Sequence, residues 1–134
     1  MDAKQAVQEF CDLMVKRDAP GLRPYLADAV VYQTTGIEAA SGVDAVLENL
    51  AGQFAMFPDS YEYRTINIVA DGDIVMNDRL DMIKGPDGKM HGVPVMGTFV
   101  VRDGKITRWT DYWDTGLIPK MMGGEDYSAL IPQY

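Results

Sequence analysis

The chain contains few of the residue types from which disulfide frameworks, metal centres and nucleic-acid surfaces are built. Among its 134 residues there is one cysteine and one histidine, and 12 basic residues stand against 20 acidic ones, for a net charge of −8. One cysteine excludes an internal disulfide framework and a cysteine metal site, and one histidine argues against a zinc site. Because phosphate recognition uses basic patches, the acidic balance argues against nucleic acid and anionic membranes as partners.

Long apolar runs are also missing. No segment approaches the roughly 18 apolar residues of a transmembrane helix, and the first ten residues lack the basic-then-apolar order of a signal peptide. Hydrophobic residues make up 47% of the chain and charged residues 24%, proportions that are ordinary for a globular protein and argue against disorder. We therefore expect a single soluble domain over residues 1–134, located in the cytoplasm and without a cofactor.

The spacing of apolar residues changes once along the chain, from the helical period to the strand period. Helical spacing predicts a first helix after an N-cap at Asp2, a short helix within 19–27 and a third helix over 42–57 that stops at Pro58. Alternation predicts five strands, at 29–34, 61–70, 73–84, 91–102 and 105–114. Asp-Gly pairs between the last four indicate hairpins, and Pro94 requires an edge or a bulge in its strand.

This order of elements predicts an α+β fold. N-terminal helices are expected to pack into a strongly curved, mixed but mostly antiparallel sheet, which forms a cone with an interior. The tail after Asp114 is rich in glycine and proline, so we expect it to form loop and a short helix.

The last strand places an acidic residue between two tryptophans. Alternation puts four side chains on one face of this strand: Thr107, Trp109, Asp111 and Trp113. Two tryptophans mark the face as buried or as the wall of a pocket. A carboxylate there must be hydrogen-bonded, paired with a cation or protonated. Asp111 is either a structural aspartate held by backbone N–H groups or an arginine, or a functional carboxylate, and we favour the second because perturbed carboxylates cluster in active sites.

The strand over 73–84 carries an arginine and an aspartate on one face, and two interpretations are open. In the first, Arg79 and Asp81 face water. In the second, they face the cavity together with Asp111, and the planar fork of the arginine binds both carboxylates. The second interpretation turns apolar residues of the same strand outward, namely Ile74, Met76, Leu80 and Met82. Such a face needs a cover other than water, so this interpretation entails an oligomer.

Three motifs then occur in a fixed order. They are V-x-Y-Q at 30–33, R-x-D at 79–81 and G-x-F-x-x-x-x-G-K-I-x-x-W-x-D-Y-W-D at 97–114. On these motifs the chain resembles the limonene-1,2-epoxide hydrolase family, within the NTF2-like (SnoaL-like) cone fold, over roughly residues 28–117.

The resemblance implies roles for particular residues. Arg79, Asp81 and Asp111 correspond to the catalytic triad of the family, and Tyr32 to its water-holding tyrosine. The family has an asparagine two residues after that tyrosine, where this chain has Thr34. In the implied reaction Asp111 is the general base, Asp81 is the general acid and Arg79 fixes both, without a metal, a nucleotide or a covalent intermediate.

The resemblance also implies the substrates, which would be a small apolar epoxide and water. The cavity-facing interpretation of Arg79 and Asp81 predicts the assembly, a homodimer that forms through the outer sheet face, including Met76, Leu80 and Met82. The expected pocket walls are six residues: Ile83, Val93, Val95, Trp109, Trp113 and Leu117.

Two rival functions remain open at this point. A ketosteroid-isomerase-like or polyketide-cyclase-like enzyme of the same fold would move a proton beside a carbonyl with one aspartate, and would not need Asp81, Asp111 and Arg79 together. A non-catalytic cone would bind an apolar ligand or a protein partner.

Overall fold

The computed structural model describes all 134 residues and contains one six-stranded sheet with helices packed against one of its faces. The helices are α1 (Ala3–Asp12), α2 (Ala19–Leu22), α3 (Val43–Met56) and α4 (Leu117–Met122), with 3-10 turns at Leu13–Lys16, Arg23–Tyr25 and Ser128–Leu130. The strands are β1 (Leu26–Thr34), β2 (Ala40–Ser41), β3 (Tyr61–Asp71), β4 (Ile74–Lys84), β5 (Met90–Arg102) and β6 (Lys105–Tyr112). None of the helices combines the length and apolarity that crossing a bilayer requires.

The sheet has the strand order β2-β1-β6-β5-β4-β3. Only the β1–β6 pair is parallel, and the other neighbours are antiparallel. The predicted α+β class with a mixed, mostly antiparallel sheet is therefore confirmed. The short β2, which pairs only with β1, was not among the predicted strands.

Local sequence explains where the first helix begins and how the last hairpin turns. Asp2 caps α1 by accepting a hydrogen bond from the backbone N–H of Gln5, whose side chain accepts from the Asp2 N–H in return, so the predicted N-cap is confirmed. In the β5–β6 turn, Asp103 and Gly104 both have positive φ values, of 52° and 74°. Asp-Gly is suited to that conformation, which explains the tight hairpin.

The orientation of β4 decides between the two interpretations of its charged pair. Val75, Asn77, Arg79 and Ile83 are buried on the helix-covered face, whereas Ile74 and Met76 are exposed on the other. The interpretation in which Arg79 faces water is wrong, because the arginine is 0% exposed. The charged face of β4 is its inner face.

Pro94 lies in a central strand but at a local edge. β5 pairs with β4 from Met90 to Val100 and with β6 only from Met96 onward. Before Met96 one side of β5 therefore has no neighbour, and a residue without an N–H is tolerated there.

Candidate active site

A cavity of about 380 Å³ lies between the inner face of the sheet, α3 and α4. This volume falls in the range of small-molecule pockets, about 300–1,000 Å³. Six residues that the sequence analysis proposed for the site line this cavity: Tyr32, Thr34, Ile83, Val93, Val95 and Trp113. Asp81 and Asp111 also line the cavity.

Arg79 bridges two carboxylates from different strands. Its Nε donates to Asp81 Oδ1 at 2.8 Å, and one terminal nitrogen, Nη2, donates to Asp111 Oδ2 at 2.8 Å and to Asp81 Oδ2 at 3.4 Å. The other terminal nitrogen donates to Asn77 Oδ1 at 3.2 Å. The Tyr63 ring lies under the guanidinium, 4.2 Å from its central carbon, and adds a cation–π contact. All three nitrogens of the buried guanidinium therefore donate hydrogen bonds.

A missing side chain on β5 gives the arginine its path across the sheet. Arg79 belongs to β4 and Asp111 to β6, with β5 between them. Gly97 is the β5 residue that pairs with Asn77 on one side and Asp111 on the other. A Cβ atom at Gly97 would lie 2.5 Å from Nη1 of Arg79. Only glycine at this position leaves room for the guanidinium to reach Asp111.

Asp111 is held from two directions. Its Oδ2 accepts from Arg79, and its Oδ1 accepts from the indole Nε1 of Trp109 at 2.8 Å. The side chain is 3% exposed. Both partners are donors, which suits an ionised carboxylate because that group accepts hydrogen bonds only.

Asp81 is the more accessible carboxyl group, with a side chain that is 17% exposed. Burial raises the pKa of Asp81 to about 7, although the Arg79 guanidinium opposes the rise, and the Asp111 carboxylate adds to it. The charge balance of the cluster favours a proton on Asp81. One guanidinium cannot neutralise two carboxylates in a dry site, so protonating one of them makes the cluster neutral.

The arginine keeps its proton for the converse reason. Burial alone would lower the pKa of Arg79, but the carboxylates of Asp111 and Asp81 outweigh burial and hold the pKa well above its usual range. The guanidinium therefore stays positively charged and holds both carboxyl groups. Within the cluster, only the carboxyl groups gain and lose protons.

Parallel pairing of β1 with β6 places two hydroxyl groups beside the cluster. Thr34 pairs with Asp111, and Tyr32 pairs with Trp109, on which its ring stacks with centroids 3.9 Å apart. Burial raises the pKa of Tyr32 to about 12, with a further contribution from the Asp111 charge. The phenol is therefore neutral at physiological pH and can donate a hydrogen bond.

Two residues expected in the pocket wall lie outside it. Trp109 is fully buried behind the cavity, packed between Tyr32 and Phe99, and its indole N–H supports Asp111 instead of facing a ligand. Leu117 is buried at the first residue of α4, and the helical turn presents Ile118 and Pro119 to the cavity in its place.

The sequence reasoning missed a polar part of the cavity wall. This wall consists of Asn49 and Gln53 from α3 and Tyr61 and Tyr63 from β3. Two signals were present: tyrosines at i and i+2 share one strand face, and Gln53 is a polar residue in line with the buried Leu50 on α3.

The cysteine thiol is not placed to act as a nucleophile. The only cysteine, Cys11, is fully buried, and burial raises the pKa of its thiol to about 12. It is thus a protonated thiol, and it accepts a hydrogen bond from Asn77 at 3.6 Å. No cluster of three or more His, Cys, Asp or Glu side chains that could hold a metal ion occurs in the structure.

Comparison with known proteins gives matches in both sequence and structure. The SnoaL-like domain family matches residues 7–109. Epoxide hydrolase EphG of Mycobacterium tuberculosis is 31% identical over 113 residues, which cover 81% of this chain and 71% of that protein.

Two solved structures share the fold over nearly the whole chain. A limonene-epoxide-hydrolase-like (LEH-like) epoxide hydrolase from M. tuberculosis superposes with a TM-score of 0.74 and 26% identity, covering 98% of this chain and 96% of the other. A protein described as a SnoaL-like polyketide cyclase from Jannaschia sp. CCS1 superposes with a TM-score of 0.78 and 18% identity, covering 92% and 93%. At that identity the second match shows the fold alone.

Proposed function

This chain belongs to the SnoaL-like domain family, and from that premise we propose that it is an epoxide hydrolase that adds water to a small, mainly apolar epoxide and forms a vicinal diol. The observation that carries the proposal is the Arg79 fork, which holds Asp81 and Asp111 at 2.8 Å each on one wall of the cavity. The sequence similarity to Epoxide hydrolase EphG and the structural similarity to an LEH-like epoxide hydrolase, both from M. tuberculosis, support the same activity.

The proposed reaction is a single push–pull step. Asp111 removes a proton from a water molecule, whose oxygen attacks one carbon of the epoxide. The bond between that carbon and the ring oxygen breaks, and the oxygen takes the proton of Asp81. The step leaves Asp111 protonated and Asp81 ionised, and exchange with solvent restores both. A positioned acid and base each contribute about 10²–10⁴-fold to the rate.

The cavity favours a substrate with an apolar body. Ile83 and Val93 adjoin Asp81 on β4 and β5, and the other apolar residues that line the cavity include Val95, Trp113, Ile118 and Pro119. An epoxide oxygen near Asp81 would place its hydrocarbon substituents against these residues.

The rival enzyme of this fold would make different use of the site. Proton transfer beside a carbonyl needs one carboxylate. The second carboxylate and the bridging arginine would have no role in that reaction. Incubation of the protein with a panel of small alkyl and cycloalkyl epoxides, followed by chromatography of diols, tests the proposal. Diol formation above the uncatalysed rate supports it, whereas proton exchange beside a ketone without diol formation supports the rival.

The pH dependence of turnover should report the proton on Asp81. The acid form is the active one, and with a pKa of about 7 its population falls as pH rises through that value. We expect kcat to fall about tenfold per pH unit on the alkaline side. A kcat that stays constant from about pH 6 to about pH 9 would contradict the role of Asp81 as general acid.

Thr34 provides a test of the water site. Thr34→Val keeps the shape and removes the hydroxyl, and loss of one hydrogen bond to a positioned water should cost about 1–3 kcal/mol, or roughly 5- to 150-fold in kcat. Thr34→Asn introduces the family's amide and should preserve or raise the rate. Equal rates for wild type and Thr34→Val would mean that Thr34 does not contact the nucleophile.

We also propose that the outer sheet face joins two copies of the chain. This face exposes five large apolar side chains: Val69, Ile74, Met76, Met96 and Tyr112. Leu80 and Met82 on the same face are half-buried. One carboxylate oxygen of Asp78 is buried there without a hydrogen-bond partner, while Arg108 is exposed on β6 without an ion pair. An apolar face with unpaired charges of both signs is self-complementary under two-fold symmetry.

Sedimentation should therefore give a dimer at micromolar concentration. Met96→Lys puts a charge in the middle of the outer face and should shift the protein to monomer. Val15→Lys is the matched control, because Val15 is 55% exposed and belongs to the 3-10 turn Leu13–Lys16, not to a strand of the outer face. A wild-type monomer, or a Met96→Lys dimer of unchanged strength, would contradict the proposed interface.

A further inference from the structure

A glutamine interrupts the apolar face of α3. Gln53 follows Leu50 by three residues and Val46 by seven, so it lies on the face that the helix turns toward the sheet. It is half-buried and lines the cavity. A polar group in this position must be hydrogen-bonded to avoid the cost of desolvation, so its partners indicate what it does.

Gln53 has three such partners. Its Oε1 accepts a hydrogen bond from the hydroxyl of Tyr61. Its Nε2 donates to Asn49 Oδ1 at 2.7 Å and to the hydroxyl oxygen of Tyr32 at 3.5 Å. An amide nitrogen has two protons and accepts no hydrogen bond, so these two contacts use both of its protons. The hydroxyl oxygen of Tyr32 is therefore the acceptor.

This assignment directs the proton of Tyr32 away from α3. A phenol has one proton, which cannot point at a donor. The ring stacks on Trp109, and Tyr32 lines the cavity together with Thr34 and Asp111. The proton of Tyr32 is then available on the side of the hydroxyl away from Gln53.

We infer, building on the proposed epoxide hydration, that Gln53 is a positioning residue that sets Tyr32 as a hydrogen-bond donor to the nucleophilic water. A water molecule that attacks through one lone pair has three directions left. Asp111 takes one proton, the hydroxyl oxygen of Thr34 can accept the other, and Tyr32 donates to the second lone pair. The remaining lone pair then points at the epoxide.

The hydroxyl group of Thr34 makes the orientation of Tyr32 by Gln53 more important in this chain. A threonine offers one hydroxyl group, which can rotate, whereas an amide would offer a fixed acceptor. Orientation of the water therefore depends more strongly on Tyr32, and Tyr32 depends on Gln53. The second anchor of Gln53, its bond to Tyr61, ties the helix α3 to β3 and keeps the amide from turning.

A double-mutant cycle tests the route of action. Gln53→Leu should lower kcat about 10-fold in the wild-type background, with a smaller change in KM, and less than about twofold in a Tyr32→Phe background. Equal losses in both backgrounds would show that Gln53 does not act through Tyr32 and would overturn the inference. Glu48→Gln, on the exposed face of α3, is the control and should keep the wild-type rate.

Gln53→Glu gives a pH signature that a structural role would not produce. A carboxylate accepts the Tyr32 proton and turns it away from the cavity, so the loss in kcat should exceed that of Gln53→Leu at neutral pH. Protonation of the new carboxyl group at lower pH should restore part of the rate. A loss that is the same at all pH values, or smaller than that of Gln53→Leu, would count against the inference.

A measurement without turnover separates this inference from the proposed function. In protein with ¹³C-labelled tyrosine, the resonance of the hydroxyl-bearing carbon of Tyr32, assigned with Tyr32→Phe, should move toward the phenolate position in Gln53→Glu and stay in place in Glu48→Gln. If wild type hydrates no epoxide, the proposed function fails, and this resonance still decides whether Gln53 orients Tyr32. An unchanged resonance in Gln53→Glu overturns the inference.

Discussion

Asp111→Asn is expected to lower kcat for epoxide hydration by about 10²- to 10⁴-fold, because an amide cannot take the proton of the attacking water. The substitution keeps the size of the side chain, and its oxygen can still accept from either Arg79 or Trp109. The loss should therefore appear in kcat far more than in KM. Steady-state kinetics of diol formation measure the split.

The same variant should change the pH profile of the remaining activity. The charge of Asp111 helps to raise the pKa of Asp81. Without that charge the pKa of Asp81 falls, so the alkaline decline of the residual rate should move to lower pH. Asp81→Asn, which removes the proposed acid, should also cost at least about 10²-fold and should abolish the decline.

A strand aspartate on the surface serves as the control for both variants. Asp28→Asn changes an exposed residue of β1 and should leave kcat within about twofold of wild type. Thermal melts check the fold, since removing one partner of a buried ion pair can cost about 3–5 kcal/mol. A folded Asp111→Asn protein with nearly full activity would refute the assignment of the general base.

Gly97→Ala is expected to reduce activity at least about 100-fold although the glycine contacts no substrate. The new Cβ would lie 2.5 Å from Nη1 of Arg79 and 2.9 Å from both Asn77 Oδ1 and Phe99 Cε1. All three neighbours are buried. The guanidinium must then leave its place over β5, and the carboxylates lose their common partner. Overpacking of this kind costs about 1–3 kcal/mol in the free energy of unfolding.

Gly92→Ala provides a matched comparison in the same strand. A Cβ at Gly92 would meet Met82 Sδ at 3.2 Å and Leu80 Cδ2 at 3.3 Å, the ends of flexible side chains on the outer face. We expect this variant to keep nearly the wild-type kcat. Similar activity in the Gly97→Ala and Gly92→Ala proteins would mean that Arg79 does not need to span β5.

The two glycines illustrate a limit of the sequence motif. The motif from 97 to 114 includes Gly97, but the spacing of the motif does not predict that an arginine from β4 crosses the sheet at this residue. That relation depends on the pairing of Gly97 with Asn77 and with Asp111 at once. This pairing forms only when three strands assemble, so no periodic pattern in the sequence predicts it.

The sequence alone determined the types of the longer elements and the partition of side chains between faces. Helical and strand periods are local properties, because they follow from backbone geometry over a few residues. They correctly grouped Asn77, Arg79 and Ile83 on one face of β4, and Trp109 with Asp111 on one face of β6. The cap at Asp2 and the Asp-Gly hairpin at 103–104 are local in the same sense.

Only the tertiary structure decided which face turned inward and which residues met. A period of two is unchanged when a strand is rotated by half a turn, so alternation cannot distinguish a buried Arg79 from a solvated one. That choice depends on the total burial of the chain, which the helices and five other strands settle together. The positions of Trp109 behind the cavity and of Gln53 against Tyr32 likewise join residues 77 and 21 positions apart. Contacts at such separations come from packing, because no local periodicity extends across them.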